Sequence, residues 1–387
     1  MELIFWLSVF LVLYIYLGYP LLIKFFSVFA SKTNKKISAS DAEKLPSVSI
    51  LIAAYNEEKD IKQTLLNKIA LDYPEDKLEI LVVSDESTDA TDEIVEGIAQ
   101  QSNISIRLFR QIPRKGKTSG LNIIVPEAKG EIIIFSDANS IYGADALLKL
   151  VSNFSDEMVG YVTGKMVYTN PDGSIVGDGC SSYMKYENWM REVETKLGSI
   201  VGVDGGIDAM RKTLYESLRA DQLPDFVQPL KVVEKGYRVV YESEALLKED
   251  ALSNASSEYV MRVRVTLRAL WALKDMNFLF NPFRYGMFSF QLFSHKLLRY
   301  LAFVPIISAF ALNVLLCDVT YLYSALMVAQ VVFYMLALRG KSYQNKKRNP
   351  VYFALPYYFT LLNVACMHAF WRFIKGEKQV IWKPRAG

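Results

Sequence analysis

The feature that most constrains this sequence is an apolar run, Ile132–Phe135, that ends abruptly in Ser136-Asp137-Ala138-Asn139. Consecutive β-branched and aromatic side chains predict a strand buried on both faces, as in parallel sheets. Asp137 and Asn139 would then lie at the carboxyl end of the strand, where open α/β sheets bind ligands. Their oxygen atoms suit a divalent cation with a bound diphosphate, and an Asx turn closing the strand is the alternative.

Strands and helices alternate in the sequence before this run. Apolar segments at Val48–Tyr55, Leu78–Val83 and Ile104–Phe109 predict three further strands, with helical patterns between them. Such alternation predicts a parallel sheet covered by helices on both faces. Neither GxGxxG nor GxxxxGK[ST] follows the first strand, which argues against a dinucleotide fold and a P-loop.

Polar residues follow the predicted strands and should converge at one sheet edge. Glu57 and Asp85 follow the first and second strands, Asp137 ends the fourth, and Lys117 lies in the loop after the third. A carboxylate there accepts hydrogen bonds from a base or ribose, and a lysine holds phosphate oxygens as a point charge. Taken singly, Asp85 also suits helix capping and Lys117 a solvated loop, but their joint placement favours a ligand site.

Two later stretches carry further candidates. Pro224 begins a predicted helix, so Asp225 is either an N-terminal helix acid or a general base at a helix mouth. The helix predicted over Glu258–Ala272 places Arg264 and Arg268 near one face. That face is either a solvated basic surface or a clamp on a leaving diphosphate.

Glycines are dense in Val201–Met210, where Gly202, Gly205 and Gly206 surround Asp204. Because glycine has no Cβ, such density indicates a backbone that bends sharply or touches a ligand closely.

Long apolar segments lie at both ends of the chain. Leu3–Ala30 carries one charge and is long enough to cross a bilayer as a retained anchor. Leu297–Cys317 and Val319–Leu338 predict a helical hairpin, and Val351–Trp371 either spans or lies in the interface. Basic residues follow the anchor and the hairpin, so the positive-inside rule places the intervening body in the cytoplasm. The predicted organisation is an anchor (1–30), a linker (31–45), a catalytic domain (46–275), an interfacial segment (276–296), membrane helices (297–374) and a basic tail (375–387).

Composition excludes several functions. The net charge of +3 sits largely beside the apolar segments, which indicates contact with membrane lipids and not with nucleic acid. The three cysteines show no metal-binding spacing, and the two histidines, His295 and His368, are far apart. These counts argue against a zinc site and a histidine-based triad.

Several motifs follow one another in the body of the chain. They are Ala54-Tyr55-Asn56-Glu57-Glu58, Ser84-Asp85-Glu86-Ser87-Thr88-Asp89, Gly116-Lys117, Ser136-Asp137-Ala138-Asn139, Pro224-Asp225 and Met261-Arg262-Val263-Arg264-Val265. In order and spacing the sequence resembles the family 2 inverting glycosyltransferases, in the membrane branch that includes cellulose, hyaluronan and poly-N-acetylglucosamine synthases. The resemblance covers roughly Pro46–Trp271.

The resemblance implies a GT-A domain, which is an α/β fold with a Rossmann-like, mainly parallel sheet, in the cytoplasm and flanked by transmembrane helices. It implies a metal-dependent inverting hexosyltransferase that moves sugar from a UDP-sugar to a glycan or lipid-linked hydroxyl. The alternatives are transfer of one sugar to a polyprenyl phosphate, an inactive nucleotide-binding membrane protein, and a nucleotidyltransferase.

The resemblance also implies roles for single residues. Tyr55, Glu57 and Asp85 would hold the uridine part of the donor, and Lys117 would stand near its diphosphate.

The remaining roles concern the cation and the chemistry. Asp137 and Asn139 match the D-x-D motif and would hold Mg²⁺ or Mn²⁺, Asp225 matches the catalytic base, and Arg264 matches the arginine that steadies the departing diphosphate. The sequence departs from the family in Asn139, in Pro224 before the base, and in the Gln and Trp of Q-x-x-R-W, which are Met261 and Val265 here. The last departure and the few spans leave processive polymerisation open.

Overall fold

The computed structural model of the chain describes residues 1–30, 45–169, 175–250, 254–343 and 351–380. The predicted linker, except its last residue, and residues 381–387 of the predicted tail lie outside the described residues. Contacts divide the chain into two compact units. The helical unit comprises Met1–Ala30, Tyr168–Met190 and Asp250–Lys378, and the sheet unit comprises Ser31–Val167, Arg191–Glu249 and Gln379–Gly387.

The α-helices are numbered in chain order. They are α1 (Glu2–Leu13), α2 (Tyr19–Phe29), α3 (Ile61–Ile69), α4 (Thr91–Gln101), α5 (Lys117–Glu127), α6 (Ala146–Ser152), α7 (Ile175–Leu197), α8 (Pro224–Glu234), α9 (Ala255–Asp275), α10 (Pro282–Tyr285), α11 (Met287–Gln291), α12 (Leu298–Tyr300), α13 (Phe303–Leu316), α14 (Tyr321–Tyr343) and α15 (Val351–Ile374). Short π-helical segments join α1 to α2 and α11 to α12.

The strands form one sheet. They are β1 (Val48–Ala54), β2 (Leu78–Ser84), β3 (Ser105–Arg110), β4 (Ile132–Asp137), β5 (Ile141–Tyr142), β6 (Val159–Thr169), β7 (Ile207–Arg211) and β8 (Arg238–Asp250). Their order is β3-β2-β1-β4-β7-β6-β8-β5.

One half of the sheet is parallel. Strand β1 pairs in parallel with β2 and β4, and β2 pairs in parallel with β3. The central strands β1, β2 and β4 are buried along almost their whole length, as expected for strands covered by helices on both faces. The predicted α/β architecture with a Rossmann-like core is therefore confirmed.

The other half of the sheet makes it mixed. Strand β7 lies beside β4 and runs antiparallel to it, and β6 runs antiparallel to β7. Ile207–Arg211 forms a strand that the sequence analysis did not predict. The insertion brings β7 and the glycine-rich stretch next to the strand that ends in Asp137.

Among the described residues of the helical unit, three helices are long and apolar enough to cross a membrane: Glu2–Phe29, Tyr321–Tyr343 and Tyr352–Ile374. The segment predicted as one helix over Leu297–Cys317 is instead bent by 54° between Met287–Tyr300 and Phe303–Leu316. Pro305 explains the break, because its ring clashes with the carbonyl of Leu301 in a continuous helix. The long, largely exposed apolar surfaces of these helices suit a lipid environment.

Candidate active site

The ends of the parallel strands meet at one edge of the sheet unit. Ala54 is paired with Ser84, and Ala53 with Asp137, so β1, β2 and β4 end at the same level. The backbone N–H of Asp85 donates to the carbonyl of Ala54 at 2.9 Å. The polar residues that the sequence places after these strands therefore lie together.

The loops after β1 and β2 are joined by hydrogen bonds. Asn56 has a positive φ of 53°, and its side-chain oxygen accepts from the Thr88 N–H at 2.8 Å. The N–H of half-buried Glu57 donates to Thr91 Oγ1 at 2.8 Å. These bonds fix the backbone of the Asn56-Glu57 turn against the start of α4.

Asp85 holds the loop that leads into α5. Its carboxylate is buried and accepts from the N–H groups of Lys115, at 2.9 Å, and Gly116, at 3.0 Å. The side chains of Gln111 and Arg114 donate to it as well. Of the two interpretations left open for Asp85, helix capping is wrong, because these donors belong to the loop after β3.

The ring of Tyr55 stacks against an arginine side chain. The Arg114 guanidinium lies 3.4 Å from the ring centroid, and its Nε is 3.3 Å from Asp85 Oδ2. Arginine stacks well on aromatic faces because its guanidinium is planar and weakly hydrated. The sequence analysis missed Arg114, although it stands three residues before Lys117.

Lys117 joins two of the predicted acids. Gly116, with φ 89°, turns the chain so that Lys117 is the first residue of α5. The Lys117 Nζ is 2.7 Å from Asp137 Oδ1 and 3.5 Å from Asp225 Oδ1. Burial would lower the pKa of Lys117, but the carboxylates of Asp137 and Asp225 outweigh it and raise this pKa above its usual range. The ammonium therefore remains charged between them.

Asp225 lies in the first turn of α8, which begins at Pro224 as the sequence predicts. The helix N-terminus stabilises a carboxylate there. Gly205, with φ 84°, packs directly beneath: a Cβ at this position would lie 2.5 Å from Asp225 Cγ. The density of glycines in this stretch predicted a sharp bend or a close contact with a ligand; the close contact of Gly205 in the structure is with the Asp225 side chain.

Asp208 is a buried acid that the sequence analysis missed. It lies on β7 opposite Phe135, on the sheet face that Asp137 shares, and accepts from Tyr161 Oη at 2.8 Å. Burial raises the pKa of Asp208 to about 7, and the nearby charge of Asp225 adds to the effect, against hydrogen bonds from Thr163 and Tyr161. The only sequence signal is an acid in a short apolar stretch.

The donor set at the end of β4 suits a cation that a substrate helps to hold. Asp137 is 39% exposed and offers carboxylate oxygen, and half-buried Asn139 offers an amide oxygen. Within the described ranges, no group of three or more His, Cys, Asp or Glu is placed to hold a metal. Hard oxygen ligands and few protein donors fit Mg²⁺ or Mn²⁺ completed by a diphosphate.

Arg264 lies on α9, in the helical unit, whereas the other predicted site residues lie in the sheet unit. On the same helix, Arg262 donates to Glu258 Oε1 at 2.8 Å and to Tyr358 Oη at 2.9 Å. Arg262 thus belongs to a buried polar network with Glu258 and Tyr358 of α15.

Comparison with solved structures identifies the fold class. The mannosyltransferase PcManGT from Pyrobaculum calidifontis, solved in complex with GDP-Man and Mn²⁺, superposes with a TM-score of 0.75. The superposition covers 97% of this chain and 99% of that one, at 20% identity. At this identity the likeness establishes the fold, and the sheet unit has the GT-A-like fold of glycosyltransferases.

A family model matches part of the sequence. Residues 49–218, less than half of the chain, match the model of Glycosyl transferase family 2. It is 32% identical over 175 residues to the beta-monoglucosyldiacylglycerol synthase of Nostoc, covering 45% of this chain and 37% of the relative. It is 26% identical over 218 residues to the poly-beta-1,6-N-acetyl-D-glucosamine synthase of Staphylococcus aureus, covering 55% and 52%. The matches thus span between about a third and a half of each relative's length.

Proposed function

We propose that this protein is a membrane-bound inverting glycosyltransferase that moves a sugar from a UDP-sugar to a hydroxyl acceptor, a glycan or a lipid-linked sugar, in polysaccharide or glycolipid assembly. The observation that carries the proposal is the contact of Lys117 with both Asp137 and Asp225. This contact places a carboxylate that can accept a proton, Asp225, beside a lysine ammonium that can bind the phosphates of the donor. The activities of the relatives, one in glycolipid and one in polysaccharide synthesis by name, agree with it.

Asp225 is the proposed general base. A sugar hydroxyl is a weak nucleophile, and a positioned carboxylate that removes its proton contributes roughly 10²–10⁴-fold. Asp225 is 25% exposed, so an acceptor can reach it, and Gly205 and the first turn of α8 fix its position. The acceptor oxygen attacks the anomeric carbon as the bond to UDP breaks, and this single displacement inverts the configuration.

The donor lies along the carboxyl edge of the sheet in this proposal. Tyr55, Glu57 and Asp85 hold the uridine part, and Lys117 binds diphosphate oxygens as a point charge. Arg264 is assigned to the departing diphosphate by its match to the family motif. Fixed positive groups that face a leaving diphosphate stabilise the transition state more than the ground state, which is what accelerates the reaction.

Asp137 and Asn139 are the proposed protein ligands of Mg²⁺ or Mn²⁺. When bound, such a cation neutralises charge on the leaving diphosphate. In the described structure Asp137 Oδ1 contacts Lys117, so the carboxylate would serve both this lysine and the cation.

We infer a multi-pass protein of the cell membrane with the sheet unit on the cytoplasmic side. Three candidate spans support membrane residence. Lysines after the first span, and basic residues after Tyr321–Tyr343, support the orientation through the positive-inside rule. UDP-sugars, the proposed donors, would then be drawn from the cytoplasm.

A screen for UDP release tests the proposal. Purified full-length protein is incubated with a set of nucleotide sugars and candidate acceptors, with Mn²⁺, Mg²⁺ or EDTA. We expect release with a UDP-sugar, loss of it in EDTA, and a loss of at least about 10²-fold in Asp225→Asn and Asp137→Ala. Asp76→Asn is the matched control, because Asp76 is exposed just before β2, at the amino edge of the sheet.

Three outcomes contradict the proposal in different ways. Wild-type turnover in Asp225→Asn points to a phosphate acceptor, such as a polyprenyl phosphate, which needs no strong base. Release of pyrophosphate instead of UDP indicates a nucleotidyltransferase. Tight UDP binding without release from any donor indicates an inactive nucleotide-binding protein.

A further inference from the structure

One lysine of the sheet unit is completely buried. Lys68, on α3, has 0% of its surface exposed. Its Nζ donates to the carbonyl of Ser140 at 2.6 Å and to Asn67 Oδ1 at 3.1 Å, and lies 3.3 Å from the centroid of the Tyr142 ring. Two hydrogen-bond acceptors and the aromatic face therefore enclose the Lys68 amine. Lysine is almost never fully buried unless it is paired, so a specific role is indicated.

Two neighbours on the same face of α3 bind the same segment. Thr64 Oγ1 donates to the carbonyl of Ala138 at 2.6 Å. Asn67 donates from Nδ2 to the Tyr142 carbonyl at 3.0 Å and accepts from the Tyr142 N–H at 2.8 Å. The spacing of three and four residues puts these side chains side by side on a helix. We call Thr64, Asn67 and Lys68 the α3 clasp.

The segment held by the α3 clasp contains one proposed cation ligand, Asn139, and directly follows the other, Asp137. The clasp binds the carbonyls on both sides of Asn139, those of Ala138 and Ser140. The Ser140 N–H donates to the Asp137 carbonyl at 3.2 Å, which closes the turn. The clasp thus fixes the backbone that carries the Asn139 side chain.

Tyr142 extends this support toward the proposed base. Its hydroxyl oxygen lies 2.8 Å from the carbonyl oxygen of Gly206 and 3.1 Å from that of Phe135, so its single proton is shared between these two acceptors. Gly206 follows Gly205, which packs against the Asp225 carboxyl group. A single chain of contacts therefore runs from Lys68 through the Tyr142 ring to the backbone beneath Asp225.

We propose that the α3 clasp positions Asp137 and Asn139 for a divalent cation bound with the donor diphosphate, so that Thr64, Asn67 and Lys68 are positioning residues for metal and donor. The inference rests on the proposed function. With only two protein ligands, the site depends on how accurately those ligands are held before the substrate arrives. Outer partners that orient ligands typically contribute about 10–100-fold to metal affinity.

Binding measurements on the full-length protein in detergent test the clasp. The variants are Lys68→Met, which keeps the length and apolar stem of the side chain, and Thr64→Val, which removes one hydroxyl. Lys62→Met is the control, because Lys62 is exposed on the same helix. The readouts are Mn²⁺ affinity in the presence of UDP, from the electron paramagnetic resonance of free Mn²⁺, metal-free UDP affinity from calorimetry, and the melting temperature.

We expect Lys68→Met to weaken Mn²⁺ binding about 10–100-fold and Thr64→Val to weaken it about 5-fold. Metal-free UDP affinity should stay within about twofold, because the hydrogen bonds of the clasp side chains described above go to Ala138, Ser140 and Tyr142. Lys62→Met should match the wild type in every readout. If Lys68→Met does not fold, Thr64→Val alone decides the question.

Two results would overturn the proposed positioning role of the α3 clasp. One is wild-type Mn²⁺ affinity in a folded Thr64→Val or Lys68→Met variant. The other is an equal loss of Mn²⁺ and metal-free UDP binding, which indicates a purely structural role. Failure of the proposed function is a separate result: a wild-type protein that binds Mn²⁺ with UDP, and loses this binding in the clasp variants, but transfers no sugar.

Discussion

Gly205 offers the sharpest test of the site geometry. An alanine Cβ at this position would lie 2.5 Å from Asp225 Cγ, 2.6 Å from Oδ2 and 2.9 Å from Cβ. Carbon atoms in contact prefer about 3.5–4.0 Å, so Asp225 or the first turn of α8 must move by about 1 Å. Rotation of the carboxyl group alone is insufficient, because the Asp225 Cβ is also too close.

The expected effect of Gly205→Ala is a loss of turnover with the fold retained. A misplacement of about 1 Å costs roughly 10²-fold in rate, so kcat should fall by that factor. The donor KM should change little, because the proposed donor residues lie on other loops. The assay is UDP release over a range of donor concentrations, with circular dichroism and the melting temperature as checks on folding.

A control variant at a second glycine distinguishes the effect of the steric clash from that of backbone strain. Gly236 has φ 85°, close to the 84° of Gly205, but no atom lies within 4 Å of the position of its Cβ. Both alanine variants carry the strain of a positive φ, about 1–2 kcal/mol. Gly236→Ala should therefore lose stability and keep its kcat. Wild-type kcat in Gly205→Ala, or equal losses of kcat in both variants, would refute the assigned position of Asp225.

Two further predictions concern carboxyl groups at the same site. Because burial raises the pKa of Asp208 from 3.8 to about 7, the folded protein holds a proton that the unfolded chain releases, so its contribution to stability falls as pH rises from about 4 to 7. Asp208→Asn keeps an oxygen that can accept from Tyr161, and its melting temperature should change less with pH over this range than that of the wild type. The same pH dependence of the melting temperature in both proteins would contradict the assignment. Asp85→Asn places an amide where the Lys115 and Gly116 N–H groups need an acceptor, so the donor KM should rise at least about 10-fold with kcat nearly unchanged. Initial rates over donor concentration measure this, and an unchanged KM would show that the loop does not bind the donor.

The sequence predicts the parallel half of the site well, because its signals are local. A buried strand is apolar throughout, and the first polar residue after it marks the sheet edge, as Asp85 does after β2 and Asp137 at the end of β4. The Pro224 start of α8 is equally local, since proline is favoured in a first helical turn. These local signals do not show which other residues each side chain contacts.

The remainder of the site depends on pairings between distant segments. Asp208 lies opposite Phe135 only because β7 inserts antiparallel beside β4, 70 residues after it in the chain. In the sequence Lys68 looks like an ordinary helix lysine. Its role becomes visible only in the structure, where α3 packs on the turn after β4. The bend before α13 was not predicted either, although Pro305 lies beside it. Pro356 lies within the continuous helix α15, so a proline by itself does not distinguish a broken span from a continuous one.

The sequence by itself determined the α/β alternation, the apolar helices, and the identity of the acids and the lysine at the strand ends. The tertiary structure alone decided that Lys117 lies between Asp137 and Asp225, that Gly205 supports the latter, and that α3 holds the turn after β4. The reason is physical: strand and helix patterns follow from the burial of neighbouring residues, whereas contacts between charged groups depend on how remote segments pack.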